Sequence, residues 1–112
     1  MMWLAKKNLK WAVKTAEANF DGILDAALLM VYEHRYRQDK YQNVEWLENL
    51  WKKIERTLDF YNNSSLNILS GSLNMGQISL GCALGYLDYR HNNRNWRAKN
   101  QNLRDWFAEF SS

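Results

Sequence analysis

The chain has 112 residues, 46% hydrophobic and 14% aromatic, with a net charge of +3 from 15 basic and 12 acidic side chains. That length suits one compact domain over residues 1–112 with a small core, and the near balance of charge argues against nucleic acid as a partner, which needs a concentrated basic face. The lone cysteine, Cys82, excludes an intrachain disulfide, disfavours a cysteine-built zinc site, and fits a reducing, cytoplasmic setting.

No membrane segment is expected. The longest apolar run, 23–32, contains Asp25 and falls well short of the roughly 20 residues that span a bilayer. Lys6, Lys7, Lys10 and Lys14 interrupt the stretch where a secretory signal would need an apolar core. With no proline, helices run without the usual breaker, and turns fall to Gly, Asn and Ser.

The first helix is predicted over about 6–37. Leu9, Val13, Ala16, Phe20, Ile23, Leu24, Ala27, Leu28 and Val31 recur at steps of three and four, the period of an amphipathic helix. Its length predicts a bend near Gly22, and the polar run 38–43 ends it. A second helix follows Asn43 as N-cap, with Leu47, Leu50, Trp51, Ile54, Leu58 and Tyr61 on one face. The run 62–65 reads as a loop, and 66–73 as an irregular connector turning at Gly71.

The third helix starts at Asn74, with Gln77 three residues on in the spacing of a capping box and Leu73 placed to staple onto Ile78. Residues 78–87 are apolar or small on nearly every side, as in a helix enclosed by others. Gly76, Gly81 and Gly85 permit close approach, at about 1 kcal/mol each relative to Ala, so only packing sustains the helix. A loop at 91–95 precedes a last helix over about 100–110 carrying Leu103, Trp106, Phe107 and Phe110.

Few residues suggest chemistry. Asn74 and Gln77 read as a structural cap, and Asp88 with Arg90 as a structural ion pair. Glu33, His34 and Arg35 supply too few ligands for a metal, and His34 and His91 read as solvent-exposed. Cys82 reads as a buried, inert thiol without a histidine base. Arg90, Arg94, Trp96, Arg97, Lys99 and Arg104 form a basic stretch in which Trp96 would have to stack on a base for nucleic-acid binding. No catalytic residue and no metal ligand is expected.

Two segments carry a family resemblance. Phe20-Asp21-Gly22-Ile23-Leu24-Asp25-Ala26, with Tyr32-Glu33 and Arg35, is similar to a first-helix pattern ADGxxDAxxxxxYExxR. Leu73-Asn74-Met75-Gly76-Gln77-Ile78, then Leu84-Gly85-Tyr86-Leu87-Asp88-Tyr89-Arg90, Trp96-Arg97, Leu103 and Trp106, is similar to LTxADIAxxxxLGYLDFR…WR…PxLxxW. Together they resemble the C-terminal domain of bacterial glutathione S-transferases. The resemblance implies an all-α helical bundle with a central buried helix at about 74–90, and gives Trp96 and Arg97 the task of pinning a loop.

The resemblance also implies a place in a larger enzyme. The family's N-terminal thioredoxin-like half, which activates the thiol of glutathione, has no counterpart in 1–112. The chain is therefore expected not to catalyse the transfer alone, and to use no cofactor, with glutathione a co-substrate only where that half is supplied. The first helix is expected to wall the electrophile pocket, implicating Trp11, Thr15 and Asn19 in substrate binding. The expected partner is a second copy in a homodimer or a separate thioredoxin-like half. Three departures are visible. Asn74-x-x-Gln77 stands where Ser/Thr-x-x-Asp is usual, Asn100-Gln101-Asn102-Leu103 replaces HPxL, and the chain ends before an Arg-Pro-Ser-Phe tail. They suggest a remnant, a split gene product or a fragment. The rival expectation is a stand-alone interaction module of the kind found in elongation factor gamma subunits.

Overall fold

The computed structural model describes residues 2–37, 42–63, 69 and 73–111, with side chains from Lys10 onward. Its helices are α1 (Met2–Tyr36), α2 (Val44–Asn62), α3 (Met75–Arg90) and α4 (Gln101–Phe110), with 3₁₀ turns at Asn92–Arg94 and Trp96–Lys99 between α3 and α4. No strand occurs among the described residues. The fold is the all-α bundle expected. Positions 38–41 of the expected polar run, 64–65 of the expected loop, most of the 66–73 connector with its turn at Gly71, and the Leu9 side chain lie outside the described set.

The 35 residues of α1 form one helix, about 52 Å long at 1.5 Å per residue. That length accounts for the long dimension of a 58 × 25 × 20 Å molecule. α1 is continuous in helical assignment through Gly22. Its buried stripe is Ala16, Phe20, Ile23, Ala26, Ala27 and Met30. This is narrower than the sequence stripe: Leu28 lies roughly 100° round from Ala27 and is 37% exposed.

α2 begins where Asn43 Oδ1 accepts the Trp46 backbone N–H at 2.9 Å. It buries Leu47, Trp51, Ile54, Leu58 and Tyr61 against α1, where the Phe20 and Tyr61 rings meet at 4.6 Å. Glu33 ties the two helices at their junction. Its buried carboxylate accepts the Asn43 N–H at 2.9 Å and pairs with Arg37 at 3.5 Å.

α3 lies between α1 and α4, with Leu80, Ala83, Leu84 and Leu87 fully buried. Burying each such leucine contributes about 1.5–3 kcal/mol. That offsets the helix cost of its glycines. Gly76 lets α3 approach α1: a Cβ there would sit 3.6 Å from the Val13 carbonyl and 3.1 Å from Asn74 Oδ1. Burial is one-sided, however. Met75, Ile78, Cys82 and Tyr89 form an outward strip that the described helices leave open. Leu73 is 68% exposed, so the expected staple onto Ile78 does not bury it.

The α3–α4 link turns at Asn95, whose φ of 49° is left-handed, a conformation that Asn tolerates better than most residues. The N-terminus of α4 has no side-chain cap from its own N-cap residue, Asn100. Asn62, at the end of α2, accepts the Leu103 N–H at 3.1 Å, and its carbonyl accepts from Asn102 Nδ2 at 2.8 Å. A side chain 41 residues distant thus does what an N-cap does locally, a service typically worth about 1 kcal/mol.

Candidate functional site

Trp11, Thr15 and Asn19 stand one turn apart on the N-terminal half of α1, so they form one strip. Trp11 is 62% exposed, with the Lys14 ammonium 5.9 Å from its ring centre. Thr15 is exposed as well. Asn19 is drawn toward α2, where its Nδ2 donates to the Tyr61 hydroxyl at 2.8 Å. The structure therefore leaves Trp11 and Thr15 open and engages Asn19 with a neighbouring helix.

Beside this strip lies the start of α3, docked through Gly76 onto Val13. Asn74 Oδ1 accepts the Gln77 N–H at 3.0 Å, satisfying a backbone donor that would otherwise be orphaned. Gln77 is buried. The pair fixes where α3 meets the N-terminal half of α1.

Asp88 does not pair with Arg90. Two residues along a helix differ by roughly 200°, so their side chains diverge. Asp88 instead accepts from Trp96 Nε1 at 2.9 Å and from one edge of the Arg97 guanidinium, Nε lying 3.2 Å from Oδ1 and Nη2 bonding Oδ2. Arg97 is held above its ordinary pKa, chiefly by hydrogen bonding to this carboxylate. Its guanidinium also lies over the Trp96 and Phe107 rings, at 5.0 and 5.6 Å. Arg90 turns the other way and covers the Tyr89 ring at 4.4 Å.

The rest of the basic stretch is likewise engaged. Arg94 pairs with Glu48 at 2.9 Å, Lys99 with Glu55 at 3.6 Å and Arg104 with Asp105 at 3.2 Å. Trp96 is 3% exposed, so its ring has no face free for a base.

Two other expectations are corrected. His91 is buried, not solvent-exposed. The turn after α3 folds its ring in near Trp51 and Tyr86, where Nε2 lies 3.0 Å from the Ala27 carbonyl. Cys82 is exposed, on the open side of α3. His91 is held by Ala27, and among the described residues no base is paired with that thiol. Among the described residues no three His, Cys, Asp or Glu side chains converge as a metal site, and no helix is long and apolar enough to cross a membrane.

Sequence reasoning missed Asn62, Glu33 and His91 as structural polar groups. The partners of Asn62 and His91 lie 40 or more positions away, so no local spacing marks them, whereas Glu33 has Arg37 at the i,i+4 step.

Comparison with known proteins places this arrangement. The family described as "Glutathione S-transferase, C-terminal domain" matches residues 44–109. The GST-like protein YibF of Escherichia coli K12 is 33% identical over 86 residues, covering 75% of this chain and 42% of YibF. A glutathione transferase family member from Pseudomonas fluorescens Pf-5, solved with bound glutathione, superposes with a TM-score of 0.88 at 35% identity, over 91% of this chain and 50% of that one. A glutathione S-transferase from Methylobacillus flagellatus KT, also with glutathione bound, gives 0.76 at 32% identity, over 89% and 50%. The chain thus spans about half the length of the relatives it matches.

Proposed function

The chain belongs to the glutathione S-transferase family as its C-terminal domain, and from that premise we propose that it supplies the helical wall of an electrophile site. The supporting observation is its close superposition on half of a transferase solved with glutathione. Attack by a glutathione thiolate on an electrophile needs the thiol's pKa lowered by a positioned donor. That work falls to a thioredoxin-like half. Trp11 and Thr15, open on α1, offer a flat apolar face and a hydroxyl to the electrophile, while Asn19 holds the strip in register through Tyr61.

The open strip of α3, with Met75, Ile78 and Cys82, and the outer face of α1, with Leu28, Leu29, Tyr32 and Tyr36, are apolar surfaces of the kind that partners cover. They suit a second half and a second copy of the chain.

The test is an assay of the purified chain with glutathione and a chlorinated aromatic electrophile. No turnover above the uncatalysed rate is expected. Glutathione-dependent turnover well above it would place the thiol-activating group within these residues and refute the proposed division of labour.

A further inference from the structure

At the end of the bundle where α1 and α3 both terminate, Val31, His34, Arg35, Arg90, His91, Asn93 and Arg94 line a cleft of about 440 Å³. The volume is in the range of small-molecule sites. Arg37, Arg94, Arg97, Lys99 and Arg104 each have a carboxylate partner. Arg35 and Arg90 have none among the described residues, although they come from different helices and border the same space. Like charges sharing a cleft repel, and an anion between them converts that repulsion into attraction. Guanidinium forks match the oxygens of a phosphoryl group in paired hydrogen bonds.

We propose that this cleft binds a small phosphoryl-bearing anion, gripped by Arg35 and Arg90. Arg94, already paired with Glu48, borders the same cleft. Val31 supplies an apolar patch, and Asn93 a neutral donor at the rim. The occupant is a small molecule and not a nucleic acid. The ring of Trp96 is buried, and the neighbouring cations Arg97, Lys99 and Arg104 are already paired. The site is separate from the Trp11–Thr15 strip and does not depend on the transferase reading.

Calorimetric titration of the 112-residue chain, with ionic strength held constant by NaCl, tests this with inorganic phosphate, glucose 6-phosphate and succinate as probes. Saturable binding of either phosphoryl probe, with weaker binding of succinate, is expected. Tighter binding of glucose 6-phosphate than of phosphate would identify an ester as the occupant, and equal binding the free anion. Arg35→Gln and Arg90→Gln should each weaken binding by roughly tenfold or more. Lys52→Gln, which removes the same charge from exposed α2, should leave it unchanged. Both arginines are exposed, so an unaltered helical circular-dichroism signal will confirm that the variants fold. No saturable phosphoryl binding, equal loss in Lys52→Gln, or unchanged affinity in both arginine variants overturns the proposal. The two guanidiniums would then serve only to offset the helix dipoles at whose C-terminal ends they sit.

Discussion

His91 is the residue whose surroundings most constrain its charge. Burial pushes its imidazole below the ordinary value near 6.5. The positive charges of Arg94 and His34 push the same way, while the hydrogen bond to Ala27 pulls against them. A histidine depressed in the folded chain binds fewer protons there than when unfolded, so its contribution to stability is complete above pH 6.5 and is lost as pH falls through the lowered folded value. The urea midpoint should therefore drop between pH 7.5 and 5.5, and His91→Gln should flatten the slope in that window. A slope identical in the variant would mean that other groups carry the acid sensitivity. This ring was misread from sequence because Ala27, its partner, lies 64 positions away. Asn43 and Asn74 were legible because each caps an amide only three residues ahead.

At the scale of elements, α1 and α2 announce themselves through apolar residues at helical steps, and the structure follows those steps closely. What the period does not reveal is how wide a face the neighbours will cover. Leu28 and Leu29 continue the apolar run yet remain at the surface, and α3, apolar almost all round, is covered on only part of its circumference. Gly22 is instructive in the same way. It lies inside continuous helix, and a Cβ built there meets nothing within 4 Å. Gly22→Ala should therefore stabilise the chain by about 0.5–1 kcal/mol through reduced backbone freedom, visible as a melting temperature higher by a few degrees. A fall would reveal a constraint on α1 that the surrounding space does not show. Gly81 is the contrast, since a Cβ there would sit 2.5 Å from the Phe110 ring and force it aside.

The whole molecule has more apolar surface than its own helices cover. Leu29 is 45% exposed, Tyr32 57% and Tyr36 73%, with the two tyrosine rings stacked at 5.4 Å. Contiguous apolar surface of this kind favours association. Sedimentation at rising concentration should show species heavier than the 13.4 kDa chain, and Leu29→Gln with Tyr32→Gln should shift the distribution toward that mass. A monomer throughout would mean that a different partner is required to cover these faces.

The bond from the Leu103 amide to Asn62 has a consequence for how order is lost. When the last turn of α2 frays, α4 loses a support that nothing in its own sequence replaces. The final ten helical residues are thus tied to a turn in the middle of the chain, and hydrogen exchange should find the end of α2 and the start of α4 opening together.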